Sequence, residues 1–256
     1  MASGSYQVRP LKEGDEAAHA AAEAFARAAL YERIWLHAAL EVPGLFARAE
    51  VNEAVHGERV VGLAAGIEEL FPFRVVALDG ALPGVAEELL RRAPRPFVCP
   101  VPARLAAQVA RAGGREIRSE LQMARFDAGV PLPEADPRVE RITDPDELTH
   151  YCGTSFARLE LELGPFFGIR DAMGELAAVA GARFTTDRVA LLAHLETRED
   201  CRRQGYARAL AVAAVRALEN EERRVVILVK DGEQAARALF ASLGFRGTHE
   251  FRVFAF

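Results

Sequence analysis

Apolar residues recur along the chain with two periods, and their alternation sets out the elements. Through RVALLAHLE, residues 188 to 196, they run almost unbroken, as they do through RRVVILV from Arg223, the pattern of strands covered on both faces. Between these runs, GYARALAVAAVRALENE from Gly205 places Leu210, Val212, Ala213 and Leu218 roughly every three to four positions, which predicts a helix. EQAARALFASLGF from Glu233 predicts another, stopped by Gly244. Upstream, VERI reads as a short strand, and DPDELTHYC as a helix with Asp144 at the N-cap and proline in its first position. PFFGIR and ELAAVAGARF read as strands around a DAMG turn, and THEFRVFAF ends the chain as an alternating strand. LELELG, residues 159 to 164, alternates leucine with Glu160 and Glu162, the pattern of an element's wet face.

The first half repeats the plan. AEVNEAV, RVVGLAAGI and FRVVAL are predicted strands, followed by helix LPGVAEELLRRA, strand PFVCPV, helix PARLAAQVARAGG and strand REIRSELQMARF. Strands with crossover helices predict an α+β fold with a mixed sheet in each half. The halves also align. Val8, Asp15, Glu16, His19 and Phe25 meet Val139, Asp146, Glu147, His150 and Phe156 at one constant offset, and GREIRSELQMARF meets GFRGTHEFRVFAF. This is the mark of an internal duplication. Three prolines and a glycine in DAGVPLPEADPRV suit an extended linker. The expected division is therefore residues 1–127, a linker at 128–137, and 138–256.

Composition narrows the classes. A length of 256 residues accommodates two cores, and a net charge of −5 argues against a surface built for nucleic acid or anionic lipid. Basic side chains are almost all arginine, with lysine only at Lys12 and Lys230, which reads as GC-rich coding bias. Cys99, Cys152 and Cys201 form no CxxC pair, so reduced thiols in a cytoplasmic protein are expected rather than a metal site or disulfide framework. The amino-terminal segment lacks the apolar core of a signal peptide, and no stretch suits a membrane span. Nothing in the pattern decides between monomer and homodimer.

The candidate chemistry lies in LLAHLETREDCRRQGYARAL, residues 191 to 210. A helix starting just after a buried strand points unpaired amides and the positive end of its dipole outward, where phosphate binds if the backbone is accessible. Gly205 and Ala207 keep that approach thin, and Arg202, Arg203 and Arg208 add positive charge. The corresponding LDGALPGVA of the first half, at 78 to 86, has no basic residue and cannot make the same cradle. By itself the segment fits a pyrophosphate seat and an ordinary helix start equally well.

R-x-x-G-x-A at 202 to 207, in this setting, resembles the cofactor signature of the GNAT superfamily of acyl-CoA-dependent N-acetyltransferases. LET at 195 to 197 is similar to that family's splayed fourth strand, and VILVKDGEQAARALFASLGF to its fifth strand and following helix. The resemblance covers roughly residues 139 to 256. It implies acetyl-CoA as co-substrate and direct transfer of its acyl group to the primary amine of a small acceptor. It also implies that Leu195, Glu196 and Thr197 flank the pantetheine arm through backbone groups, and that the amides of Arg203, Gln204, Gly205, Tyr206, Ala207 and Arg208 hold the pyrophosphate. The first half becomes a GNAT-like domain that has lost cofactor binding.

Direct transfer needs a base for the attacking ammonium, a donor for the oxyanion and an acid for the thiolate. Glu196 and His194 are the candidate bases; they share strand parity, so only a bulge or twist gives them different surroundings. Glu160 and Glu162 are candidates to hold a cationic amine, and Cys201 reads as a surface thiol. The family's tyrosine acid is replaced by Phe240, its helix asparagine by Glu233 and a loop proline by Glu199. Two classes therefore stand: an N-acyltransferase, or a degenerate GNAT fold that binds CoA or a protein partner without turnover.

Overall fold

The computed structural model describes residues 6–126, 130–153, 157–219 and 222–256, with the burial of residue 157 left aside. Outside this set lie the first five residues, the start of the linker at 127–129, Phe156 of the repeat, and the end of the predicted helix at 220–221. By contacts the chain divides into two compact units, Met1–Glu120 with His249–Phe256, and Leu121–Thr248. This division differs from the one read along the sequence at two places: the last eight residues group with the first unit, and Leu121–Arg125 with the second.

Unit 1 comprises β1 (Gln7–Pro10), α1 (Glu16–Arg27), α2 (Ile34–Glu41), α3 (Pro43–Phe46), β2 (Ala49–His56), β3 (Arg59–Ile67), β4 (Arg74–Gly80), α4 (Val85–Arg92), β5 (Phe97–Pro102), α5 (Ala106–Arg111) and the start of β6 (Arg115–Arg125). Its strands β1 to β4 pair antiparallel in order. β4 runs parallel to β5 only at Arg74–Phe97 and Val75–Val98, after which the two strands part. Beyond that point Asp79 of β4, its side chain 1% exposed, receives Arg33 at 2.5 Å and Arg104 at 2.6 Å. Helix α4 starts at Gly84 with φ +82°, and the Tyr6 hydroxyl donates to the Gly84 carbonyl at 2.9 Å. Its first turn carries Glu87 and Glu88.

Unit 2 continues with β7 (Glu140–Ile142), α6 (Pro145–Cys152), α7 (Ala157–Leu163), β8 (Phe166–Arg170), β9 (Leu176–Thr185), β10 (Val189–Thr197), α8 (Tyr206–Leu218), β11 (Arg224–Lys230), α9 (Gln234–Ser242) and the start of β12 (Phe245–Ala255). Its strand order includes β6-β11-β10-β9-β8-β7. The predicted caps form: Asp144 accepts from the Asp146 amide at 2.9 Å, and Gly244 takes φ +86° after α9. β6 and β12 begin one residue after Gly114 and Gly244, so the aligned ends are equivalent strands. LELELG differs from its pattern. It belongs to a helix, α7, and Leu159, Glu160 and Leu163 share its buried side.

Apolar side chains cover both faces of this sheet. On one, Ala211, Val212 and Val215 of α8 pack with Ala190, Leu192, Val225 and Phe240. A separate cluster joins Leu148 to Ile142, Phe166, Leu176 and Val179. Gly181 of β9 lies where a methyl group would overlap the Phe166 ring. Gly181→Ala is expected to cost about 1–3 kcal/mol through overpacking, read as a lower urea midpoint with unchanged slope. An unchanged midpoint would mean that the ring moves aside freely.

Candidate functional site

The site begins where β10 leaves its parallel neighbour. β10 and β11 pair from Val189–Arg224 to Leu192–Ile227, yet β10 continues to Thr197 and β11 to Lys230. The edge of β10 from Ala193 onward is thus released on one side while β9 holds the other.

The β9 ladder contains a bulge. Ala193 opposes Gly181 and the next pair is Glu196 with Val179, so β10 carries one more residue than β9 across this interval. His194 absorbs it with φ +52°. Leu192 belongs to the α8-side core. His194, two residues on, instead places its ring 5.4 Å from Phe166 and its Nε2 2.9 Å from Glu160 Oε1. Glu196 is exposed and has no ion-pair partner among the described residues. The two candidate bases therefore do have different surroundings.

Glu160 is where sequence reading went astray. Its side chain is 1% exposed, and Arg183 of β9 joins His194 on the same Oε1. Burial alone would raise its pKa, but the hydrogen bonds and charges of His194 and Arg183 outweigh that and hold the carboxyl below its usual range. Glu162 remains exposed. A helical reading of the segment, with Glu160 three residues before Leu163, was the signal available.

After β10 the chain makes a short turn tied down by Arg198. This guanidinium donates to Asp171 at 2.6 Å, Asp200 at 2.7 Å and the Leu176 carbonyl at 3.3 Å. Cys201 is not the surface thiol expected: it packs with Tyr206, Leu210, Ile169 and Ala178. Burial raises its pKa, against the lowering pull of Arg198, so it is no activated nucleophile. Arg203 (φ +68°) and Gly205 (φ +79°) then turn the backbone into α8. The amides of Arg203, Gln204 and Gly205 meet no acceptor among the described residues, and those of Tyr206, Ala207 and Arg208 belong to the open first turn. No atom lies within 4 Å of where a Gly205 side chain would begin. Arg202, Arg203 and Arg208 are exposed around this opening, while Tyr206 is buried under the Arg138 guanidinium at 5.1 Å.

A cavity of about 540 Å³ opens beside the strand end, lined by Glu196, Thr197, Arg198 and Arg202 with His150 and Tyr151 of α6. The Tyr151 hydroxyl donates to the Ala177 carbonyl at 3.2 Å; burial first, then the Glu196 charge, pushes its pKa up to about 12. The Thr197 hydroxyl oxygen is buried without a hydrogen-bond partner among the described residues. Phe240 is fully buried edge-on to Phe245, with centroids 5.1 Å apart, and carries no proton to this site.

This arrangement has known counterparts. Residues 166–253 match the family model described as FR47-like protein. A tandem GNAT protein from the clavulanic acid biosynthesis pathway is 17% identical, with a TM-score of 0.65 over 98% of this chain and 98% of its own. A Drosophila protein is 14% identical, with a TM-score of 0.73 over 97% of this chain and 98% of that one. A GCN5-related N-acetyltransferase from Sphaerobacter thermophilus is 15% identical, with a TM-score of 0.62 and coverages of 98% and 95%. No curated protein matches the sequence. At these identities the likeness shows fold: nearly the whole chain shares the fold of a tandem GNAT protein and of a GCN5-related N-acetyltransferase.

Proposed function

We propose that unit 2 transfers an acetyl group from acetyl-CoA to the primary amine of a small acceptor. The observation that carries this reading is the continuity of three features: a released β10 edge, a turn with Arg203 and Gly205 in left-handed conformation, and the open first turn of α8. The uncommitted amides and the empty approach at Gly205 fit a pyrophosphate. Leu195, Glu196 and Thr197 would hold the pantetheine arm at the released edge, and Arg203 through Arg208 the phosphates. Acetyl-CoA supplies the activated acyl group. Glu196 lines the cavity where a cationic amine would enter, and Glu196 and His194 are the candidate bases for its proton. A free thiol titrates near 8.5, so departure of the thiolate with a proton from water is tolerable without a tyrosine acid.

Unit 1 is read as a half without a cofactor seat. Its parted strands are bridged by Asp79 and Arg104, and acidic residues open α4. Action in the cytoplasm fits three free cysteines and, among the described residues, no helix long and apolar enough to cross a membrane. The second reading, a CoA-binding module without turnover, is favoured by one observation, Phe240 buried where an acid is expected.

Titration calorimetry with acetyl-CoA, followed by thiol release over a panel of amines, separates the two. Saturable binding with amine-dependent release is the expected result. Binding without release for any amine supports the module, and no binding overturns both.

A further inference from the structure

Glu160 is a buried carboxylate whose Oε1 meets two nitrogens, from Arg183 and His194, while its Oε2 is buried with no hydrogen-bond partner among the described residues. The Arg183 guanidinium on the same Oε1 keeps Glu160 ionised while the imidazole is neutral. An ionised carboxylate only accepts hydrogen bonds, so in the 2.9 Å contact His194 Nε2 must be the donor. Nε2 then carries the hydrogen, and in the neutral ring the lone pair sits on Nδ1.

The bulge makes this contact. Without the extra residue between Ala193 and Glu196, His194 would follow Leu192 into the α8-side core and Glu160 could not reach it. The ring is instead clamped between Phe166 and the carboxylate, at the start of the released edge of β10. The other titratable and charged groups near the pair are Arg183 of β9, Cys152 of α6 and Glu196 further along β10.

We propose that Glu160 is a positioning residue that, through Nε2–H, fixes His194 in the tautomer whose Nδ1 takes the proton released by the attacking amine. The proposal rests on the acyl-transfer reading above. As the amine nitrogen bonds to the acyl carbon, the carbon–sulfur bond breaks and its electron pair leaves on sulfur. An ammonium has first given one proton to Nδ1, and from there to solvent, which frees the lone pair that attacks. The second proton of the bonded nitrogen passes through water to the departing thiolate. Glu196 draws the ammonium into the cavity rather than serving as the final proton acceptor.

The test combines long-range proton–nitrogen NMR of the His194 ring, assigned with His194→Gln, and thiol-release kinetics of Glu160→Gln and Glu160→Asp. The neutral wild-type ring is expected as the Nε2–H tautomer, a reading that does not depend on any variant folding. Glu160→Gln, whose amide both donates and accepts, is expected to mix the tautomers and lower kcat about 100-fold with KM for acetyl-CoA unchanged. Glu160→Asp should recover part of kcat. An Nδ1–H wild-type ring, or full kcat in Glu160→Gln, overturns the positioning role while leaving acyl transfer standing. A wild-type protein that shows the tautomer but releases no thiol with any amine overturns the acyl-transfer reading, and this role with it.

Discussion

Gly205→Glu is expected to weaken acetyl-CoA binding by about 100-fold or more while the protein stays folded. Gly205 holds φ +79° at the N-cap of α8, and the space beyond its Cα is open. A glutamate therefore fits sterically, and its carboxylate lies favourably at the positive end of the helix dipole. The backbone strain of a left-handed non-glycine residue costs about 1–2 kcal/mol, partly offset by that interaction. Binding suffers more, because a fixed negative charge occupies the seat proposed for two phosphates. Like-charge juxtaposition costs several kcal/mol, and each 1.4 kcal/mol is about tenfold in affinity. Gly205→Ala separates the two effects: it carries the strain without the charge, and a loss of no more than about tenfold is expected. Calorimetry measures both affinities and thermal unfolding checks the fold. A glutamate variant that binds acetyl-CoA like the parent would show that the seat is misassigned.

Glu196→Gln is expected to lower kcat/KM for the amine by about 10- to 100-fold, leaving acetyl-CoA affinity within about twofold. The carboxylate lines the cavity and is exposed, so replacing it strains nothing in the core. What is lost is a charge-assisted hydrogen bond to an incoming ammonium, worth about 1.5–3 kcal/mol. The cofactor contacts proposed for residue 196 belong to its backbone and survive the substitution. Steady-state thiol release with the amine varied at saturating acetyl-CoA reads the first number, and calorimetry the second. Unchanged kcat/KM would remove Glu196 from the reaction.

Much of unit 2 was legible because its signals are local. A buried strand announces itself by an apolar run, α6 by Asp144 and Pro145, and the end of α9 by Gly244. Gly205 was legible as the residue without a side chain to block the approach, and the structure adds that it takes a left-handed backbone, which glycine tolerates without strain. The alternation in LELEL misled because a seven-residue segment satisfies either period, and packing of Leu159 and Leu163 against the sheet selected the helix. Cys201 misled for a related reason: its neighbours in sequence are charged, whereas its neighbours in space are Tyr206 and Leu210.

By itself, then, the sequence determined strands β2 to β12, helices α4, α5, α6, α8 and α9, the doubling of the plan, and the glycine–arginine opening of α8, since each depends on residues within a turn or two of one another, whereas α1, α2, α3 and α7 were not read from it. Only the tertiary structure decided that β10 bulges at His194, that Glu160 is buried against it, and that Glu196 lines the cavity. A bulge is a mismatch between residue counts on two strands, and burial of a charge depends on which helix lies across the sheet. Neither quantity exists in a single stretch of chain.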